Sequence, residues 1–155
     1  MEIKDFKKKF ANEVKQYGFQ KVPGGWYKAS PECMIGLYLQ RSNFGAYYQL
    51  FMKIFIQGLF GKVYLPTKYW IGCSVGDIMF CMPDKGKYQA LFSFDNEIDD
   101  INRMILLKEF MEEYMSWFSR DTLSLQGIKQ LMENGRLYVH PNVKTALEKM
   151  DGWNK

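Results

Sequence analysis

Between Cys33 and Gln57 the side chains alternate with a period of two, and no other pattern in the chain restricts the fold so strongly. Ile35, Leu37 and Leu39 alternate with Met34, Gly36, Tyr38 and Gln40. After Ser42-Asn43-Phe44-Gly45, Tyr48, Leu50, Met52, Ile54 and Ile56 alternate with Tyr47, Gln49, Phe51, Lys53, Phe55 and Gln57. Successive side chains of a strand point to opposite faces, so the spacing predicts a hairpin with one aliphatic face and one mixed aromatic and polar face. The aliphatic face is expected to floor the core.

The neighbouring segments extend this hairpin into a meander. Phe19 to Val22 and Trp26 to Ser30 flank Pro23-Gly24-Gly25, where paired glycines tolerate the positive φ of a tight turn. Pro31-Glu32 then leads into the central strand. Gly58, Gly61 and Pro66 predict a loop over residues 58 to 68, carrying Lys62 and Lys68. Further strands are expected from Tyr69 to Ser74, from Asp77 to Met82 and, after a turn at Pro83-Asp84-Lys85-Gly86, from Tyr88 to Phe94.

Helical periodicity brackets the sheet. Ile3, Phe6, Phe10, Val14 and Tyr17 predict a helix over residues 3 to 17, with Gly18 as a left-handed C-terminal cap and Lys7, Lys8, Lys15 and Glu13 in water. Acidic residues Asp95, Glu97, Asp99 and Asp100 mark the start of a long helix that runs from about Glu97 to Phe118. Its polar face is narrow, so it is expected to cross the aliphatic face of the sheet or meet a partner. Two shorter helices follow. One is begun by Thr122 or Ser124 and ended by Asn134-Gly135; the other is begun at Pro141 and ended at Gly152. The expected architecture is one α+β domain over residues 1 to 155: a helix (3 to 17), a mostly antiparallel meander of about five to seven strands (19 to 94), and three C-terminal helices packed on one sheet face (95 to 151).

Composition narrows the setting. At 155 residues and 47% hydrophobic content the chain can bury a sizeable core. Its apolar runs fall short of the ~20 residues a membrane span needs, and the lysine-rich N-terminus has no hydrophobic signal region. Three cysteines, Cys33, Cys73 and Cys81, suit reduced core thiols better than a disulfide framework. A cytoplasmic protein without a membrane partner is the expectation. Residues 1 to 94 carry thirteen Lys and Arg against six Asp and Glu, and residues 95 to 155 carry eight against eleven, so +7 and −3 make the net +4. The sheet half is basic and the helical half acidic.

The N-terminal helix ending in Tyr17-Gly18-Phe19-Gln20-Lys21, the Trp26-Tyr27-Lys28 strand, the segment Leu39-Gln40-Arg41-Ser42-Asn43-Phe44-Gly45 with the strand after it, and Trp117-Phe118-Ser119-Arg120 before a Leu-rich helix carry a likeness. From about Phe6 to Met132 the chain resembles the bacterial family catalogued as "domain of unknown function 4304". The resemblance implies a small single-domain bacterial protein of α+β type and carries over no catalytic residues; the final helix lies outside it.

No nucleophile, base and orienting group can be named together. His140 precedes Pro141 at a helix start, where a capping role suffices. Asp99-Asp100 and Glu112-Glu113 are sequence neighbours that diverge by about 100° on a helix, so neither is an acid and base couple. No cofactor or metal is called for, and the chain reads as a non-catalytic binding protein. The candidate surface is the second face of the hairpin, with Tyr38, Gln49, Phe51, Lys53 and Phe55 joined by Arg41 and Trp26 and extended by Tyr27 and Trp70. Aromatic rings mixed with amides and cations suit a protein partner, in an immunity- or antitoxin-like role. Single-stranded nucleic acid is the alternative, with Tyr38, Phe51 and Phe55 stacking bases and Lys53, Lys28 and Arg41 meeting phosphates. An enzyme with a site dispersed in sequence is a third. The chain is expected to be a monomer or a weak homodimer joined through the long helix.

Overall fold

The computed structural model describes residues 1–80, 86–95 and 98–154. Five antiparallel strands pair in chain order, β1 (Gln20–Val22), β2 (Gly25–Ala29), β3 (Cys33–Arg41), β4 (Tyr48–Ile56) and β5 (Ile78–Phe80). The central pair sets the register, with Ile35 opposite Ile54, Leu37 opposite Met52 and Leu39 opposite Leu50. These residues share one face by parity, and on them lie α1 (Ile3–Gln16) and the helices of the second half. The α+β meander with one helical layer is as the alternation predicts.

The helix α1 ends where Gly18 takes φ +92°, and the Phe19 N–H donates to Val14 O, the wrap that a left-handed cap produces. Phe6, Phe10 and Val14 are buried. Phe10 packs on Trp26 (centroids 5.3 Å apart) and Phe6 meets Tyr48, Phe92 and Phe94. Glu13 is not in water: it is buried on the α1 surface that faces the long helix, and accepts a 3.0 Å ion-paired hydrogen bond from Lys108 Nζ.

The long helix begins at α3 (Asp100–Phe110), capped by Asp99, whose carboxylate accepts from Asn102 N. It passes through a π-type turn (Met111–Met115) into α4 (Ser116–Asp121). Leu107, Phe110, Met111, Met115 and Phe118 enter the same core as Ile35, Leu37 and Ile54, so the helix lies on the aliphatic face as its narrow polar side demands. Ile101 and Ile105 stay exposed near its start, beside a groove between α1 and α3. The chain closes with α5 (Leu125–Glu133), capped by Ser124 Oγ, and α6 (Pro141–Glu148), where His140 Nδ1 accepts from Asn142 N in the capping role expected of it. No helix among the described residues is long and apolar enough to cross a membrane.

Two expected strands are absent. Tyr69–Cys73 is a helical turn of π type, and Gln89–Phe92 is a short helix, α2. Both sequences carry the aromatic and aliphatic side chains common in strands, but tertiary contacts decide otherwise. Gly72 packs backbone to backbone on Gly24, a contact that directs residues 69–73 across the sheet rather than along its edge. The carbonyls of Ala90, Leu91 and Ser93 converge on Arg103, which curls residues 89–93 towards α3. The turn expected at Pro83-Asp84-Lys85 and the end of the strand at Cys81-Met82 lie outside the described residues, whereas the long helix starts at Asp100, later than the expected Glu97, because Asp99 supplies its cap.

Candidate functional site

On the second face of the sheet, register brings Met34 opposite Phe55, Gly36 opposite Lys53, Tyr38 opposite Phe51 and Gln40 opposite Gln49. The segment after β4 folds back over half of it. Ile71 descends onto Gly36, where a Cβ would lie 2.7 Å from Ile71 Cδ1 and would oblige that side-chain end to shift. Met34, Phe55, Tyr64 and Ile71 form a small second core, with Trp70 packed on both Phe55 and Tyr64.

Polar anchors hold this cover in place. Gln57 grips the backbone of Tyr64 from both sides: its Nε2 donates to Tyr64 O (3.0 Å) and its Oε1 accepts from Tyr64 N (2.7 Å). The Tyr64 hydroxyl donates to one oxygen of Asp77 and Ile56 N–H donates to the other, both at 2.8 Å. Burial raises the Asp77 pKa despite those donors and Lys62, and burial, then Asp77, pushes the Tyr64 phenol up.

The sequence-derived surface therefore divides. Tyr38 and Phe51 are half-buried and stack with centroids 5.9 Å apart and planes 21° from parallel. Gln49 and Arg41 are exposed at the same end. Gln40, exposed opposite Gln49, belongs with them; its parity with Tyr38 was the signal for it. Phe44, at the tip of the hairpin, is 96% exposed.

Three expected members do not belong to an open surface. Phe55 is fully buried beneath Tyr64 and Trp70. Trp26 lies on the opposite face: opposite Leu37 in register, it points into the main core. Lys53 is only 2% exposed; its ammonium donates to Ile71 O at 2.7 Å and sits 5.4 Å from the Tyr38 ring centroid. Of the proposed phosphate contacts, Lys28 is also committed, donating to Ser119 O at 2.9 Å. Cys33 is a core thiol, pushed up to about 12 by burial and by the nearby Glu32 and Asp77. Cys73 is exposed rather than buried, as the last residue of the helical turn that replaces the expected strand. The described residues hold no group of three or more His, Cys, Asp or Glu placed to bind a metal.

No protein-family model, curated protein or solved structure matches the chain. The site thus rests on its own chemistry. The fold works against protonation of Lys53, since burial lowers its pKa, with Cys73 opposing. Its folded pKa lies below that of the unfolded chain, so between the two values the unfolded state binds more protons. Stability contributed at this position therefore rises with pH across that window. In urea unfolding from neutral pH towards ~10, the wild type is expected to gain on Lys53→Met; a gap that stays constant with pH would contradict the burial of a charged amine.

Proposed function

We propose that this chain is a non-catalytic protein-binding module whose contact surface is the uncovered end of the sheet's second face. The observation that carries this reading is the stacked, half-exposed pair Tyr38 and Phe51, flanked by the amides of Gln40 and Gln49 and by Arg41. Rings held rigid by strand pairing lose little entropy on binding, and amides beside them supply direction. From Cys33 to Gly76 the chain has no Asp or Glu, which favours a partner that presents carboxylates. An immunity- or antitoxin-like inhibitor is the form of this role that suits the likeness to the bacterial family, by analogy of size and composition.

A photo-crosslinking residue at Gln49 captures the partner for identification, and calorimetry then measures its affinity for variants. Phe51→Ala is expected to weaken the complex by about tenfold or more, and Arg41→Glu to slow association in a salt-dependent way. Unchanged affinity in Phe51→Ala would sink the proposal. The same stacked pair supports single-stranded nucleic acid as the second reading, now without Phe55, Lys53 and Lys28 as contacts. A complex with an oligonucleotide that weakens steeply with salt would favour it over a protein partner.

A further inference from the structure

The loop that covers half of the sheet face carries an apolar surface of its own. Of the ten large apolar side chains exposed among the described residues, five fall in this segment: Phe60, Val63, Leu65, Tyr69 and Val75. Val63 (76% exposed) and Leu65 (64%) flank the inward Tyr64 and so project away from the sheet. Tyr69 joins them through Trp70, whose ring touches both Tyr64 (4.8 Å) and Tyr69 (4.7 Å). Phe60 is held outward in a left-handed backbone at φ +54°, a conformation costly for a bulky residue, between Gly58 and Gly61. The anchors through Gln57 and Asp77 fix the loop, so these side chains are presented rather than left loose.

The charges in this segment have one sign. Lys62 and Lys68 are exposed between the apolar side chains, and no carboxylate occurs from Gly58 to Gly76. The helix α6 packs on the Leu59–Gly61 turn, and exposed Lys144 and Lys149 there are balanced by exposed Glu148 and Asp151, so the positive charge of the surface comes from the loop itself. We infer that this loop is a peripheral docking surface for an anionic lipid bilayer, with Phe60, Val63, Leu65 and Tyr69 entering the interfacial region and Lys62 and Lys68 meeting acidic headgroups. Separately exposed apolar side chains fit a deformable phase better than the packed pockets that anchor protein interfaces, and Tyr and Phe beside Lys suit the headgroup level. The expectation of no membrane partner rested on the lack of a spanning segment, and an interfacial contact needs none.

The test is sedimentation of the purified protein with vesicles of phosphatidylcholine containing phosphatidylserine, and with phosphatidylcholine alone. The protein is expected to sediment with the anionic vesicles and far less with the neutral ones. Tryptophan emission should shift to shorter wavelength, reporting Trp70, because Trp26, Trp117 and Trp153 are already buried. The double variant Val63→Ser and Leu65→Ser is expected to lower partitioning by about tenfold or more, and Lys62→Glu with Lys68→Glu by at least about tenfold at low salt. All four positions are exposed, so circular dichroism should confirm an intact fold. Failure to sediment with anionic vesicles, or equal sedimentation of the serine variant, would overturn the inference. So would a serine variant that loses a captured protein partner while the wild type ignores lipid. Phe51→Ala should leave lipid binding unchanged, which separates this surface from the protein-binding one.

Discussion

Replacing Arg103 by alanine is expected to lower the unfolding free energy by about 3 to 5 kcal/mol, measured by urea denaturation with an unchanged slope. Arg103 is 3% exposed, and its Nη1 donates to the carbonyls of Ala90, Leu91 and Ser93 at 2.9, 2.7 and 3.1 Å. In a helix as short as α2 only the Ala90 carbonyl also accepts from the local backbone, at 3.4 Å from Ser93 N–H, so the guanidinium acts as the main C-terminal cap. Its plane also lies over Phe94, with Cζ 4.2 Å from the ring centroid. Burial lowers the Arg103 pKa and Asp100 opposes that, but an arginine stays charged at any pH of interest. Arg103→Lys should recover only part of the loss, because an ammonium can reach the same carbonyls but loses the contact of the guanidinium with the Phe94 ring. The effect should reach the candidate site, since Phe94 N–H donates to Ala46 O and Ser93 bridges Tyr47 just beyond the hairpin tip. Exchange of the Phe94 amide is the local readout. A loss below about 1 kcal/mol would mean that water replaces the guanidinium at those carbonyls.

Gly127→Ala should be comparably severe, at about 3 kcal/mol or more. A Cβ there would stand 1.9 Å from Asp121 O and 2.8 Å from Asp121 C, both backbone atoms, and 3.0 Å from Ser124 Oγ. The first turn of α5 thus packs directly on the end of α4. Relief requires moving one helix away from the other, which separates Leu125 and Ile128 from the core and disturbs the Ser124 cap on Gly127 N–H. Gly86→Ala is the matching control, since a Cβ there meets no atom of the described residues within 4 Å; its stability should stay within about 0.5 kcal/mol of the wild type. If the two alanine variants melt alike, the close approach of α4 and α5 does not exist in solution.

Local chemistry was enough to reveal the frame of this protein. The period of two from Cys33 to Gln57 determined the central hairpin and the aliphatic floor, because strand parity forces alternate side chains apart. Helical spacing with Gly18, Ser124 and His140 at the caps placed the helices, since those signals act within a turn of the residues that carry them. The tertiary structure alone decided what covers the other face. Lys53 and Phe55 share the parity of Phe51, and nothing within a few residues of them tells that Ile71 will settle on Gly36 or that Ile71 O will accept from Lys53. Residues 69–73 and 89–92 carry the aromatic and aliphatic side chains common in strands, yet they are bent by backbone contact with Gly24 and by the guanidinium of Arg103, more than forty and about ten residues away. Trp26 shows the same division. Its parity in β2 is local, but which face that parity selects follows only from its pairing with Leu37. Alternation sorts side chains into two sets; long-range packing chooses which members of each set meet water.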